Sequence, residues 1–92
     1  MKFKVDKSFD RDVNTIKDKN ILQKLRDCIS QIERAHNFQE IPNMKKIEGY
    51  SSFFRIKIGH YRLGIELVSD NEMILTRFIH RKDIYRYFPR RR

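Results

Sequence analysis

The stretch FFRIKIGHYRLGIE, residues 53–66, alternates apolar and polar side chains on both sides of a Gly-His pair. Glycine at the first central position of a two-residue turn favours type II′ geometry, so Gly59 and His60 predict a β-hairpin. One face of this hairpin is apolar and must meet a core, because a slip of one residue would bury the charged side chains. The apolar face comprises Phe54, Ile56, Ile58, Leu63, Ile65 and Leu67.

The other face of the hairpin carries three cations. Counting outward from the turn places Lys57 opposite Arg62. The next pair on the same face is Arg55 opposite Gly64, and we expect this glycine to leave the sheet surface open. Like charges that face each other across two strands are destabilising, which indicates a surface that binds an anion. The alternative is an ordinary solvated face on which Glu66 neutralises the cations in weak surface ion pairs.

The composition indicates one small, basic domain. The chain has 92 residues, room for one modest core, and its 21 lysines and arginines exceed its 12 acidic residues to give a net charge of +9. The excess lies at the C-terminal end, where residues 77–92 hold seven cations and one anion. The positive electrostatic field of such a segment attracts polyanions, but it does not indicate whether the partner is RNA, DNA, a lipid surface or an acidic protein.

Cysteine usage and hydropathy predict a cytoplasmic protein. The single cysteine, Cys28, falls inside a predicted helix, where it is interpreted as a small buried apolar residue in a reducing compartment. No apolar run approaches the ~18 residues that a membrane span requires, so no membrane association is expected. The opening segment MKFKVDKSFDRD lacks the apolar core of a signal peptide.

The N-terminal half predicts one strand and two helices. Residues 2–5 alternate as a short strand. Ser8 is the expected N-cap of a helix over 9–17, and Asn20 the expected cap of a second helix that runs to about residue 36. The second helix carries an apolar stripe that predicts core packing rather than a groove for a cofactor. That stripe consists of Leu22, Leu25, Ile29 and Ile32.

The second half changes to a period of two and predicts strands. Residues 82–88 allow one helical turn before Pro89, and residues 88–92 are expected to form a flexible tail. The whole chain, residues 1–92, therefore predicts a single small α+β domain with a mostly antiparallel twisted sheet and an N-terminal helical hairpin packed on one face. Beyond the hairpin, the expected strands lie near residues 45–48 and 73–80.

The usual signatures of metal and cofactor enzymes are missing. The sequence has no glycine-rich phosphate loop and no paired cysteines, and its three histidines lack metal-ligand spacing. We expect neither a metal site nor a cofactor. RNA cleavage remains open because the substrate supplies its own nucleophile, the ribose 2′-OH. Its attack on the adjacent phosphate creates extra negative charge, which prepositioned cations such as Arg55, Lys57 and Arg62 stabilise.

The segment HRKDIY, residues 80–85, supplies candidates for proton transfer. His80 and Tyr85 are the two candidates, and Arg81 adds another cation. An ordinary phenol titrates near pH 10 and is a poor base at neutral pH, but neighbouring cations favour its ionised form. Tyr87 competes with Tyr85, but residues two apart on a helical turn differ by about 200°, so at most one points into the site.

These residues resemble the RelE/ParE superfamily of toxins from bacterial type II toxin-antitoxin systems. The resemblance covers most of the chain in length, element order and basicity. Its specific part is KKIEG at residues 45–49, the cationic hairpin, and IHRKDIY at residues 79–85. The RelE branch is the nearer one. The resemblance therefore implies a RelE-like fold and the activity of an mRNA interferase, a nuclease that inhibits translation.

The resemblance also implies roles and partners. Basic residues of the hairpin stabilise the scissile phosphate, and a cation and a tyrosine near the C-terminus assist the reaction. Those roles fall on Arg55, Lys57, Arg62, Arg81 and Tyr85. The implied enzyme is an endoribonuclease that cleaves mRNA in the decoding site of the ribosome without a metal. The implied partners are mRNA, the ribosome with its rRNA, and a cognate antitoxin that wraps and neutralises the toxin.

Several alternatives stay open. His80 can replace Arg81 in the phosphate role. The ParE branch shares the fold but acts on DNA gyrase, and basic charge alone does not distinguish it. A noncatalytic RNA- or DNA-binding module would use the same face for backbone contacts, but Phe53 alone on the cationic face is too little for a base-stacking platform. Outlying cations are expected to make diffuse phosphate contacts. These are Lys45, Lys46, Arg77, Lys82 and Arg86.

Overall fold

The structure is a computed structural model that describes residues 1–89. It confirms a small α+β domain with a five-stranded sheet and three α-helices. Within residues 1–89, none of the helices combines the length and the hydropathy that crossing a bilayer requires. The elements in chain order are β1 (Lys2–Val5), α1 (Lys7–Asn14), α2 (Lys19–Arg34), a 3-10 turn (Phe38–Glu40), β2 (Met44–Lys46), β3 (Phe53–Ile58), β4 (Tyr61–Ser69), β5 (Glu72–His80) and α3 (Ile84–Tyr87).

The sheet order is β1-β5-β4-β3-β2. Strand β1 runs parallel to β5, and every other neighbouring pair is antiparallel. Because β1 pairs only with Glu72 to Leu75, the second half of β5 has a free edge on that side, where α1 packs. The predicted mostly antiparallel sheet is confirmed, with the N-terminal strand as its parallel edge.

The central hairpin has the predicted register. Lys57 pairs with Arg62, and Arg55 pairs with Gly64. Gly59 has a φ of 58°, and among residues 1–89 only Asn43 is a non-glycine with positive φ. A positive φ at the first central residue and not at the second is the signature of a type II′ turn, so alternation and turn chemistry together set this register.

Both N-terminal helices begin earlier than predicted. The N-caps are Asp6 and Asp18, not Ser8 and Asn20. A carboxylate oxygen of Asp6 accepts a hydrogen bond from the backbone N–H of Ser8 at 3.2 Å, and one of Asp18 accepts from that of Asn20 at 2.9 Å. Asp6 and Asp18 are the N-caps because their side-chain oxygens reach backbone N–H groups of the first turn that have no partner within the helix.

Helices α1 and α2 cover one face of the sheet and enclose the main core. Phe9 of α1 joins this core, and the apolar side of the hairpin supplies Ile56, Leu63 and Ile65. The buried stripe of α2 is rotated relative to the prediction, since Ile21 and Cys28 take the places expected for Leu22 and Ile29. The stripe consists of Ile21, Leu25, Cys28 and Ile32.

A second, smaller apolar cluster lies on the opposite face of the sheet, beneath α3. Phe88 is 1% exposed, so the flexible tail predicted for residues 88–92 does not begin there, and residues 90–92 lie outside the described part of the chain. The expectation that Gly64 leaves the sheet open is also wrong. A Cβ built on Gly64 would lie 2.8 Å from Cδ2 of the Phe88 ring, which therefore covers this glycine. The cluster consists of Ile47, Ile84 and Phe88, flanked by Phe53 and Ile79.

Candidate active site

The three hairpin cations lie on the face of the sheet that carries α3. Arg55 and Arg62 are partly buried, whereas Lys57 is exposed. Arg62 is held close to the turn, because its Nη1 donates to the carbonyl oxygens of Gly59 at 3.1 Å and Tyr61 at 2.9 Å. These bonds orient the guanidinium without neutralising it.

No carboxylate neutralises the cationic pair in the described chain. Glu66 pairs with Phe53 across the hairpin and forms no ion pair within residues 1–89. Partial burial lowers the pKa of Arg62, and the charges of Arg55 and Arg81 lower it further. Since arginine stays protonated in proteins, Arg62 is a partly buried cation beside two like charges, and an anion would be stabilised there.

Tyr85 stands over the same cations. Its hydroxyl oxygen accepts a hydrogen bond from Nε of Arg55 at 2.9 Å. The side chain is 65% exposed, so the hydroxyl is fixed by this contact while most of the ring remains open to a ligand. The hydrogen bond places the phenol oxygen directly beside a cation of the hairpin.

Tyr87 points away from the hairpin cations. Its ring lies against the guanidinium of Arg77, whose Cζ is 5.6 Å from the ring centroid. The two tyrosines of α3 therefore contact different arginines, in agreement with the angle of about 200° between them. The structure brings Tyr85, and not Tyr87, to Arg55.

Arg81 and His80 separate onto different surfaces. Arg81 follows β5 and is exposed, and its charge acts on Arg62. His80 pairs with Tyr61 on the opposite face of the sheet, and its ring stacks on that of His60 at a centroid distance of 6.2 Å. Its Nδ1 accepts from the backbone N–H of Lys82 at 3.1 Å. The structure thus does not bring His80 to the hairpin cations, because alternation along β5 turns it towards the helical face.

Lys45 and Lys46 also separate. Lys45 is the partner of Arg55 and shares its face, whereas Lys46 is the partner of Phe54, whose ring packs against Phe38 beneath the helical layer. An open depression of about 410 Å³ beside Arg55 extends the cationic surface towards Lys45. It is lined by Asn43, Met44, Lys45, Arg55 and Lys57. Of the two predicted phosphate contacts on β2, only Lys45 adjoins the site.

Arg77 is occupied by an internal ion pair. Its Nε donates to Asp12 Oδ2 at 2.7 Å, and its Nη2 donates to Asp12 Oδ1 at 3.0 Å. This hydrogen-bonded carboxylate raises the pKa of Arg77. A guanidinium engaged in this way is less available to phosphate than the sequence suggested. Lys82 and Arg86 are exposed, as free phosphate contacts require.

A groove of about 660 Å³ runs beside Tyr85, between α1, α3 and the loop after β2. Its walls combine aromatic rings and charged groups, and they include two residues that sequence reasoning missed, Asp12 and Phe88. Neither stands out in the sequence, since Asp12 is one acid among several on an amphipathic helix and Phe88 precedes a proline. Among residues 1–89, no three metal-ligating side chains come together. The groove is lined by Ser8, Arg11, Asp12, Ile47, Glu48, Tyr50, Arg77, Tyr85, Arg86, Tyr87, Phe88 and Pro89.

Comparison with known proteins identifies the family of this chain. A family model described as the ParE toxin of the type II toxin-antitoxin system, parDE, matches residues 3–85. The chain is 34% identical over 90 residues to Toxin RelE3 of Methanocaldococcus jannaschii, and the alignment covers 97% of this chain and 100% of the relative.

Solved structures agree with this assignment. The chain resembles one in the crystal structure of a RelB-RelE antitoxin-toxin complex from Methanococcus jannaschii, with a TM-score of 0.76, 32% identity, and coverage of 94% of this chain and 99% of that chain. A YoeB dimer from Staphylococcus aureus shares the fold, with a TM-score of 0.68, 17% identity, and coverage of 87% and 95%. The chain therefore belongs to the RelE/ParE superfamily of toxins of type II toxin-antitoxin systems.

Proposed function

We propose that this toxin is an endoribonuclease that cleaves mRNA on the ribosome, without a metal, by attack of a ribose 2′-OH on the adjacent phosphate. The observation that carries the proposal is the hydrogen bond from Arg55 to the Tyr85 hydroxyl, on the face where Arg62 stands opposite Lys57. A phenol held by one arginine beside two further cations combines a proton-transfer group with an anion site.

In the proposed reaction, the 2′-oxygen forms a bond to phosphorus as the bond from phosphorus to the 5′-oxygen breaks. A proton leaves the 2′-OH, and a proton is delivered to the departing 5′-oxygen. The products are a 2′,3′-cyclic phosphate and a 5′-hydroxyl end. The pentavalent state between them carries more charge on its nonbridging oxygens than the substrate does, so cations aimed at those oxygens accelerate the step.

The position of each residue determines its role in the proposed reaction. Arg62 and Lys57 stabilise the nonbridging oxygens from the surface of the hairpin, and Arg55 stabilises the phosphate and positions the Tyr85 hydroxyl. Tyr85 takes the proton from the 2′-OH or supplies one to the leaving oxygen. Arg81 adds charge at the end of β5. Further cations contact flanking phosphates, and these are Lys45, Lys82 and Arg86.

The proposal includes partners and compartment. Cleavage of translated mRNA requires contact with the ribosome and its rRNA in the cytoplasm, and the net charge of +9 suits such a polyanionic surface. A cognate antitoxin is proposed by analogy with the RelB-RelE complex that the chain resembles. Such an antitoxin would neutralise the toxin by covering the cationic face.

The test compares wild type with Arg62→Ala during induced expression, with transcript ends mapped across a translated message and with pulse labelling of protein and DNA synthesis. Arg26→Ala is the matched control, because it removes one exposed cation from α2 on the other side of the sheet. We expect translation arrest with in-frame cuts from wild type and from Arg26→Ala, and neither from Arg62→Ala. Cuts that persist in Arg62→Ala would contradict the proposed role of Arg62.

The two tyrosines of α3 supply a second comparison. Tyr85→Phe removes only the hydroxyl that Arg55 contacts, and we expect it to lower kcat by about 10²–10⁴-fold. Tyr87→Phe keeps the ring that lies against Arg77, so its cleavage rate should stay near that of wild type. The reverse pattern would move the proton-transfer role to Tyr87.

Gyrase inhibition is the second candidate function, because the matching family model carries the name of the ParE toxin. Arrest of DNA synthesis with intact messages in the same experiment would support it and would make the hairpin cations partner contacts. A noncatalytic binding module predicts a third pattern, in which wild type binds RNA in a salt-dependent way but produces no cuts.

A further inference from the structure

We infer that Asp12 of α1 is a positioning residue for the reaction, holding Tyr85 over the hairpin cations through Arg77 and Tyr87. This inference deepens the proposed function and rests on it. Asp12 accepts its hydrogen bonds from Arg77 and Phe78, neither of which is among the proposed catalytic side chains. Its influence passes through one arginine and one aromatic ring, both of which are fixed by contacts in the structure.

The first step is the three hydrogen bonds that Asp12 accepts. Both of its oxygens accept from the guanidinium of Arg77, and Oδ2 also accepts from the backbone N–H of Phe78 at 2.9 Å. Strand β1 ends before this part of β5, so the N–H of Phe78 lies on a free strand edge that Asp12 satisfies. The Asp12 side chain is 12% exposed, and a bidentate charge-assisted pair of this kind fixes the plane of the guanidinium.

The second step is the contact of Arg77 with α3. The guanidinium, held by Asp12, lies against the ring of Tyr87 with Cζ 5.6 Å from the centroid. Helix α3 contains only four residues, Ile84 to Tyr87, and a helix of one turn is not stable by itself. Its position is therefore determined by what its side chains contact.

The third step is the arrangement around Gly64. Arg55 and Arg77 pair with Gly64 from either side, so all three lie in one row across the sheet. The Phe88 ring covers the glycine between them. Helix α3 lies above this row, so that Tyr85 contacts Arg55 and Tyr87 contacts Arg77. Within residues 1–89 the hydroxyl of Tyr85 has one hydrogen bond, so its place depends on the helix. The helix is held by its buried C-cap residue, Phe88, and by the contact of Tyr87 with Arg77.

A catalytic group that is displaced by about 1 Å loses on the order of 10²-fold in rate. Asp12→Ala removes all three hydrogen bonds and releases Arg77, so we expect kcat for mRNA cleavage to fall by about 10–100-fold while KM changes by less than about threefold. The substrate-binding cations keep their places on the hairpin, which is why the loss is expected in kcat.

A double-mutant cycle separates positioning from general destabilisation. If Asp12 acts through Tyr85, then Asp12→Ala should change kcat by less than about threefold in a Tyr85→Phe background, because no hydroxyl is left to misplace. Equal losses in both backgrounds would overturn the inference. Asp12→Asn keeps the shape and one acceptor oxygen, so it should fold where the alanine variant does not, and it should show a smaller loss with the same dependence on Tyr85.

An NMR measurement keeps this inference separate from the proposed function. The Cζ carbon of Tyr85 reports the hydrogen bond to its hydroxyl, so Asp12→Asn and Asp12→Ala should shift that resonance in the direction seen for Arg55→Ala, which removes the donor. An unchanged resonance in both Asp12 variants would overturn the inference. A wild-type protein that fails to cleave mRNA would reject the proposed function, while the shift would still establish or refute the link from Asp12 to Tyr85.

Discussion

Replacing Gly64 by alanine tests whether α3 rests directly on the sheet. The new Cβ would meet three atoms of the Phe88 ring, at 2.8 Å from Cδ2, 2.9 Å from Cγ and 3.0 Å from Cε2. Phe88 is 1% exposed and cannot retreat without leaving the cluster under α3. Inserting a methyl group into a packed site costs about 1–3 kcal/mol. Removing a glycine from a strand interior returns about 0.5–1 kcal/mol.

The net expectation is a loss of about 1–2 kcal/mol in the free energy of unfolding of Gly64→Ala. For a domain of this size, that loss lowers Tm by roughly 5–15 °C. Urea unfolding followed by circular dichroism should show a lower midpoint with an unchanged slope, because the surface exposed on unfolding hardly changes.

The matched background is Phe88→Leu, in which a smaller side chain lies over the glycine. There, Gly64→Ala should cost less than about 0.5 kcal/mol or become stabilising, because the clash is removed and the strand preference remains. An equal loss in both backgrounds would refute the reasoning, since the cost would then not arise from the Phe88 ring. A stabilised Gly64→Ala single variant would refute it as well.

Three further predictions concern other parts of the molecule. Asp6→Ala should lower the free energy of unfolding by about 1 kcal/mol through loss of the α1 N-cap. The hydrogen bonds from Ser8 lower the pKa of Asp6 in the folded state. The wild type should therefore lose this stabilisation as the pH falls from the pKa of Asp6 in the unfolded chain, near 3.9, through its lower pKa in the folded protein, whereas Asp6→Ala should show no such loss. Burial raises the pKa of Cys28 to about 11, so its native thiol should react with a disulfide reagent at pH 8 at least about a hundredfold more slowly than the unfolded chain, and equal rates would contradict its burial. Lys45→Ala should weaken RNA cleavage and reduce its salt dependence, whereas Lys46→Ala, on the other face of β2, should do neither.

The strand pairing of the hairpin could be predicted because the information that sets it is local. Alternation selects the buried face, and a glycine at the first turn position fixes the loop length, so the pairing of Lys57 with Arg62 follows from arithmetic. The first residues of α1 and α2 were harder to predict, because each start offers two residues that can act as the N-cap. DKS at residues 6–8 and DKN at residues 18–20 each contain two good capping residues two positions apart, and the choice between them depends on which side chain meets a free N–H.

The contacts that complete the site were not predictable from local patterns. Asp12 reaches Arg77 and the edge of β5 across more than sixty positions of sequence, and periodicity within one helix contains nothing about that partner. The same limit explains Gly64. A glycine in a strand is compatible with an open surface or with the close approach of another group, and only the position of Phe88 decides between them.

The parallel pairing of β1 with β5 has a consequence for the order in which the protein is made. The first strand of the chain has no partner in the sheet until residues 72–75 have been synthesised, so this edge of the sheet is completed late. Arg81 and Tyr85 follow later still. A nascent chain therefore holds the hairpin cations before it holds Tyr85, and the proposed active site stays incomplete until residue 85 has been synthesised. A protein that bound the nascent chain before residues 72–75 were synthesised would contact an incomplete sheet and not the folded toxin.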